Sequence, residues 1–241
     1  YLHLITFQAA GSAGAAAVVI TYNVVKKAIS VKTGNLLTIV VMIVAGGVYL
    51  TATVIDDPLW WQVSFSYLGK MESNASFIFN FTLVFTGVLL LAWMGYFMSD
   101  FRILARHGVA TERGVKLVRI GLAWLAIGIA LVGIFKSNYT PFSSLMHNLS
   151  AYSLAVAFGL LMLGGKWIVP GFPREFFASS WTLVTLLIGT LVAAALGRVN
   201  TVGLEIMAFA LGMAWLALFV GQTERMGPEL EPESFPDMGG Q

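Results

Sequence analysis

The chain has 241 residues, 58% of them hydrophobic and 11% charged, against roughly 25% charged in a soluble domain, so a water-exposed globular surface is excluded. The formal net charge is +2, and the basic residues sit in short joints beside apolar blocks, a pattern that sets membrane topology and argues against nucleic acid as a partner. Cysteine is absent, which excludes disulfides, thiolate metal sites, Fe–S clusters and cysteine nucleophiles.

Apolar residues arrive in blocks of about twenty, the length demanded by a hydrocarbon core of about 30 Å. The pattern predicts an all-α polytopic transmembrane helix bundle of about seven spans, a six-helix core plus an N-terminal span. The spans are Leu4–Val25, Leu36–Ile55, Phe77–Met98, Val118–Phe135, His147–Leu163, Phe177–Leu196 and Val202–Val220. The first is the weakest, diluted by Gln8, Ser12 and two glycines, which leaves six spans as the fallback; no basic segment precedes it, so a span is a better reading of it than a signal peptide, for which the small-residue run Ala13–Ala17 is the one supporting feature. Residues 1–222 form one transmembrane domain in this reading. Residues 223–241, with three prolines and Glu229, Glu231, Glu233 and Asp237, read as a disordered acidic cytoplasmic tail.

Lysines and arginines divide unequally between the two sides. Lys26, Lys27, Lys32, Arg102, Arg106, Arg113, Lys116, Arg119, Lys166, Arg174 and Arg225 fall on one side, and only Lys70, Lys136 and Arg198 on the other. Positive-inside bias then places the protein in the cell membrane with its N-terminus outside and its C-terminus in the cytoplasm. Trp60, Trp61, Tyr67, Trp93, Tyr96, Trp167 and Trp181 lie near span ends, where amphipathic rings favour the headgroup layer.

The outward joints carry polarity that topology does not require. Asp56-Asp57-Pro58-Leu59-Trp60-Trp61-Gln62-Val63-Ser64-Phe65-Ser66-Tyr67-Leu68-Gly69-Lys70 reads as a folded cap on the bundle. A second joint, from Lys136 through Asn138 to Ser144, leads to His147 and Asn148 at the mouth of the fifth span. The third carries Arg198 and Asn200, with Glu205 one turn into the last helix. An ionisable residue within a span is expensive and faces the bundle or a wet cavity. Glu205 therefore reads either as an interfacial carboxylate paired with Arg198 or as a proton-relay or ligand-binding group.

His147 reads either as a helix-end residue bonded to a carbonyl or as an acid, base or ligand. With Asp56 and Asp57, and His3 as a fourth donor, it would supply an oxygen and nitrogen set for a metal. No HxxxH or HExxH spacing supports one, and none is expected. Asp56-Asp57-Pro58 is equally what a helix terminus selects, and Asn80 with Thr82 suits hydrogen bonding between helices.

The last span lacks the lysine of a retinal protein, the three histidines lie at or beyond span ends instead of facing each other across a haem, and no phosphate-binding glycine loop opens a helix. No cofactor can be named. Asn74, Asn80, Asn138 and Asn148 open N-x-S/T sequons, whose use the sequence leaves open.

Ser66-Tyr67-Leu68-Gly69 after an acidic outer joint, Phe79-Asn80 opening the third span, Gly133-Ile134-Phe135 ending the fourth and His147 opening the fifth together resemble a prokaryotic membrane family, domain of unknown function 998. A looser likeness is to the DRAM-type membrane proteins. The resemblance covers the second to seventh spans and implies a six-helix core with polar motif residues on the outer side, but no particular reaction. Lys136 stands where a Gly-x-Phe-Pro turn would have proline.

Small and aromatic residues are abundant and intramembrane charges few, which favours a non-catalytic bundle that binds lipid or a hydrophobic ligand, or an accessory subunit of a membrane complex. Its partners would be the bilayer and other membrane subunits. Its ligand-contacting residues would be Trp60, Trp61, Ser66, Tyr67, Lys136, Asn138 and Arg198. One alternative is a hydrolase or transferase acting on a lipid headgroup through Asp56, Asp57, His147 and Glu205. Another is a small transporter in which Glu205 and Asp56 exchange protons or cations, with Gly46-Gly47 as the candidate helix break.

Overall fold

A computed structural model describes residues 14–15, 17–23, 32–70, 73–137 and 139–230. Six helices in it are long and apolar enough to cross a membrane: α1 (Thr33–Val54), α2 (Asn74–Arg106), α3 (Glu112–Ile134), α4 (Pro141–Leu163), α5 (Arg174–Ala195) and α6 (Thr201–Leu230). No strand occurs among the described residues, and the protein is an all-α, multi-pass transmembrane bundle. Most of the expected first span lies outside the described residues. Residues 17–23 are helical, and Ile20 sits close enough to Gly46 of α1 that a Cβ there would meet it at 3.0 Å.

Local chemistry sets the helix ends. Thr111 and Thr140 cap α3 and α4, each hydroxyl accepting a backbone N–H of the first turn, from Gly114 at 2.9 Å and from Ser143 at 3.0 Å. Pro141 follows Thr140 in the first turn of α4, where its missing N–H costs nothing. Gly108 and Gly197, at φ 74° and 69°, supply the left-handed residues after α2 and α5.

The longest helix, α2 at 33 residues, is the central post and packs against α1, α3 and α6, while α3 carries α4 and α6 carries α5. Small residues bring α2 and α3 together: a Cβ on Gly87 would meet the Ala126 carbonyl oxygen at 2.5 Å. Such close approach earns dispersion contacts where lipid supplies no hydrophobic drive. Toward the C-terminal end of α2 the core is aromatic. Trp93, Phe97 and Phe101 stack at 5.2 and 5.6 Å, and Phe219 packs on both phenylalanines and stacks on Trp215 at 5.2 Å. Both indoles bury their N–H with a partner, Trp93 donating to the Thr33 carbonyl and Trp215 to the Ser180 hydroxyl.

We call the end of the bundle that carries residues 56–70 the cap end and the opposite one the basic end. At the basic end two carboxylates hold the start of α1: Asp100 accepts the Thr33 hydroxyl at 2.5 Å, and Glu224 accepts the Gly34 N–H at 2.6 Å. The first N–H groups of a helix have no partner within it and favour negative charge.

The structure moves several expected boundaries. The last helix continues to Leu230 past the tail boundary expected at residue 223, because Thr223 is buried and Glu224 seats on α1; residues 231–241 lie outside the described set. The fifth expected span starts six residues early, at Pro141, so His147 is buried two turns inside α4 and not at its mouth. Gly46-Gly47 does not break α1, which runs through both glycines. Thr82 bonds back to Ile78 of its own helix and not across to another.

Candidate functional site

The cap is a joint held by hydrogen bonds among its own residues and to residues of α6 and the joint before it. Asp57 accepts the Leu59 N–H at 2.8 Å and the Tyr67 hydroxyl. That hydrogen bond, with some burial and the carboxylate's charge, raises the Tyr67 pKa above its usual 10.0, because a phenolate beside Asp57 would lose the bond and meet a like charge. Two 3-10 turns, Trp60–Gln62 and Phe65–Gly69, fold the segment over the ends of α2 and α6. Glu205, half-buried near the start of α6, accepts the N–H of Phe65 at 2.5 Å and also that of Ser66. Its partners are these two amides, and Arg198 is exposed. Asn200 donates to the Trp61 carbonyl at 3.0 Å.

His147 is equally committed. Its Nδ1–H donates to the carbonyls of Phe135 at 2.7 Å and Val132 at 3.2 Å, two of the acceptors that the end of α3 leaves open. A ring that donates through Nδ1 keeps its lone pair on Nε2 when neutral. Of the four residues expected to share one chemistry, Asp57 and Glu205 both bond the cap, at Leu59 and Tyr67 and at Phe65 and Ser66, His147 is tied to the end of α3, and Asp56 is exposed. Among the described residues no three His, Cys, Asp or Glu gather in a metal-binding group; His3 lies outside them.

A different set of residues does come together. The Gly69 carbonyl accepts the Ser76 hydroxyl at 2.8 Å and the Asn80 side-chain N–H at 3.0 Å. Gly69 is pressed so closely on Phe79 and Asn80 that a Cβ would meet Asn80 Oδ1 at 2.5 Å. On its other flank the Asn80 backbone carbonyl faces Gly133, where a Cβ would meet it at 2.7 Å. From Gly133 the chain passes through Phe135, whose carbonyl is held by His147. Ser66–Gly69, Phe79-Asn80, Gly133–Phe135 and His147, far apart in sequence, thus form one continuous line of contacts.

Beside this line lies an open cleft of about 600 Å³ between the start of α2 and the end of α3. Ser73, Asn74, Asn80 and Lys136 supply its polar groups, and Phe77, Phe81 and Val84 its apolar wall. Phe77, Phe81 and Phe85, stacked at 5.9 and 5.8 Å, continue down the outside of α2, with Phe77 70% exposed. Lys136 also places its ammonium 5.6 Å from the centre of the Tyr139 ring, and its backbone carbonyl is held by the Ser143 hydroxyl.

Of the expected ligand-contacting residues, only Lys136 lines this cleft. Trp60, Trp61, Ser66 and Tyr67 belong to the cap, Arg198 is exposed at the start of the α5–α6 joint, and Asn138 lies outside the described residues. Ser73, Asn74, Phe77 and Phe81 were missed as ligand contacts, although with Asn80 and Val84 they recur at helical spacing along one face.

No protein-family model matches the chain, and no curated protein or solved structure matches it.

Proposed function

We propose that the protein is a non-catalytic lipid-binding bundle of the cell membrane, oriented with its cap end outside and its basic end in the cytoplasm, and that it seats a polar-headed lipid in the cleft between α2 and α3. The observation that carries this reading is the cleft's two-part lining. Lys136 and the Asn74 amide offer donors to a headgroup, and the stacked phenylalanines lead from it along the outside of the bundle. Pockets that fix an amphiphile combine an apolar wall with a few placed polar groups. The orientation rests on the lysine and arginine distribution. Kinship with domain of unknown function 998 is part of the proposal, supported by the contiguity of the four short motifs.

The acid–base alternative is less well supported because His147 and Glu205 are occupied by backbone partners. The test uses the purified full chain in liposomes containing a phospholipid with a photoactivatable group near its headgroup. Labelling should concentrate on peptides holding Phe77, Phe81 and Val84, and Val84→Trp, which fills the cleft, should cut it several-fold. Leu191→Trp, at an exposed position on α5, should leave it unchanged. Uniform labelling around the bundle, indifferent to Val84→Trp, defeats the reading. A protein that co-purifies in fixed stoichiometry would move it to an accessory subunit.

A further inference from the structure

At the basic end, α2 and α3 both run beyond their apolar stretches. The apolar stretch of α2 closes at Met98, yet the helix continues to Arg106; that of α3 opens at Val118, yet the helix starts at Glu112. These extensions add about 12 Å and 9 Å of rigid helix, enough to carry their side chains into the headgroup layer. Between them lies a second cleft, of about 270 Å³, lined by Arg102, Ala105, Arg106, Glu112, Val115, Lys116 and Arg119. Four cations face one carboxylate there. The positive end of the α3 dipole adds to the field, since Thr111 caps that helix at the same place.

From this geometry we infer that the cleft is a binding site for the phosphate of an anionic phospholipid in the leaflet at the basic end. Topology alone requires cations near span ends, and Arg113, Lys166 and Arg174 meet that need at the same end without lining the cleft. It does not require four more to converge on one groove held by two packed helices. Arg102, with Lys116 and Arg119 opposite, offers the forked and point-charge donors that a phosphate takes. The volume lies below the roughly 300–1,000 Å³ of pockets that enclose whole ligands, which suits a headgroup whose acyl chains remain in the bilayer. Along α2, Leu91 and Gly95 share a helical face with Arg102. Leu91 is exposed, and nothing lies within 4 Å of where a Gly95 Cβ would be, leaving room for an acyl chain below the headgroup. The site is at the opposite end of the bundle from the outer cleft and does not depend on it.

The test is native mass spectrometry of the full chain in mild detergent, titrated with phosphatidylglycerol and, separately, with phosphatidylcholine. Phosphatidylglycerol should bind more tightly, with each cleft cation removed lowering its affinity about fivefold. Arg102→Gln/Arg119→Gln should therefore abolish the preference, and the equally charged control Arg113→Gln/Arg174→Gln should keep it. Lys116→Gln, a single change at an exposed position, provides a second arm should the double variant not fold. Equal binding of both lipids, or equal loss in the control, overturns the proposal. Displacement of phosphatidylglycerol by inorganic phosphate, at an ionic strength where chloride has no effect, would assign the cleft to a free anion and overturn the lipid assignment.

Discussion

Asn80 donates its side-chain N–H to the Gly69 carbonyl at 3.0 Å while its own backbone carbonyl lies against Gly133. One residue of α2 therefore anchors the cap on one side and defines the α2–α3 spacing on the other. The consequence is steric as much as polar. Gly133→Ala should lower stability by about 1–3 kcal/mol, because the new methyl has to displace backbone. Gly95→Ala, on the same pair of helices but with open space around it, should change it by no more than about 1 kcal/mol, on the stabilising side. Thermal unfolding of both variants in one detergent gives the comparison, and equal losses would contradict the close approach at Asn80.

Glu205 accepts two cap amides, so Glu205→Ala should strand both Phe65 and Ser66 N–H groups. The expected loss is about 1–3 kcal/mol, with Glu205→Gln recovering part of it because an amide oxygen can still accept one bond. If Glu205 were a proton-relay group without a structural role, both variants would unfold like the parent.

The folded-state pKa of Tyr67 is raised, chiefly by its bond to Asp57. A raised pKa means that the contribution of this pair is fully present below the usual tyrosine pKa of 10.0 and is lost as pH climbs through the higher folded value. Stability should therefore be insensitive to this pair up to about pH 9, below the ordinary phenol pKa of about 10. The ultraviolet difference titration between parent and Tyr67→Phe should reveal one phenol ionising late. Asp57→Asn should return that phenol toward its ordinary range, and an unmoved titration would show that Asp57 is not its partner.

Much of the fold was legible because lipid imposes length and apolarity on each span, and each of the five inter-span joints expected from residue 56 onward does contain a break between helices, although α2, α3, α4 and α6 run well beyond the expected span ends. The errors share one cause. Hydropathy reports where apolar residues stop, whereas helices stop where their backbone is capped. Thr140-Pro141 with Ser143 was a readable start signal for α4, and Thr111 with Gly108 just before it marked the turn between α2 and α3. Neither changes hydropathy. The cleft was less legible because its residues divide between two helices whose facing depends on Gly87 and Gly133. The commitment of His147 to α3 depends on a carbonyl, which no side-chain pattern displays.

Residues 223–230 bear directly on how the chain can be shortened. Truncation after Gln222 removes Thr223 and Glu224, and with them the acceptor for the Gly34 N–H. It should lower the midpoint of thermal unfolding by several degrees, in line with a charged hydrogen bond of about 1.5–3 kcal/mol. Glu224→Ala in the full chain should reproduce most of that loss. A parent-like midpoint for Glu224→Ala would contradict the clamp on α1.

The unequal lengths of the helices have a geometric consequence. At 33 residues, α2 is about 50 Å long, while α1 and α5, at 22 residues each, reach about 33 Å. The shorter pair nearly matches a hydrocarbon thickness of about 30 Å. Tilted by about 40°, the extreme for membrane helices, α2 still covers about 38 Å along the bilayer normal. No tilt in that range immerses it completely, so part of the post stands among headgroups in a thin membrane and in a thick one alike. Changes in bilayer thickness must then be absorbed by the lipid around α2, or by sliding of the shorter helices along it.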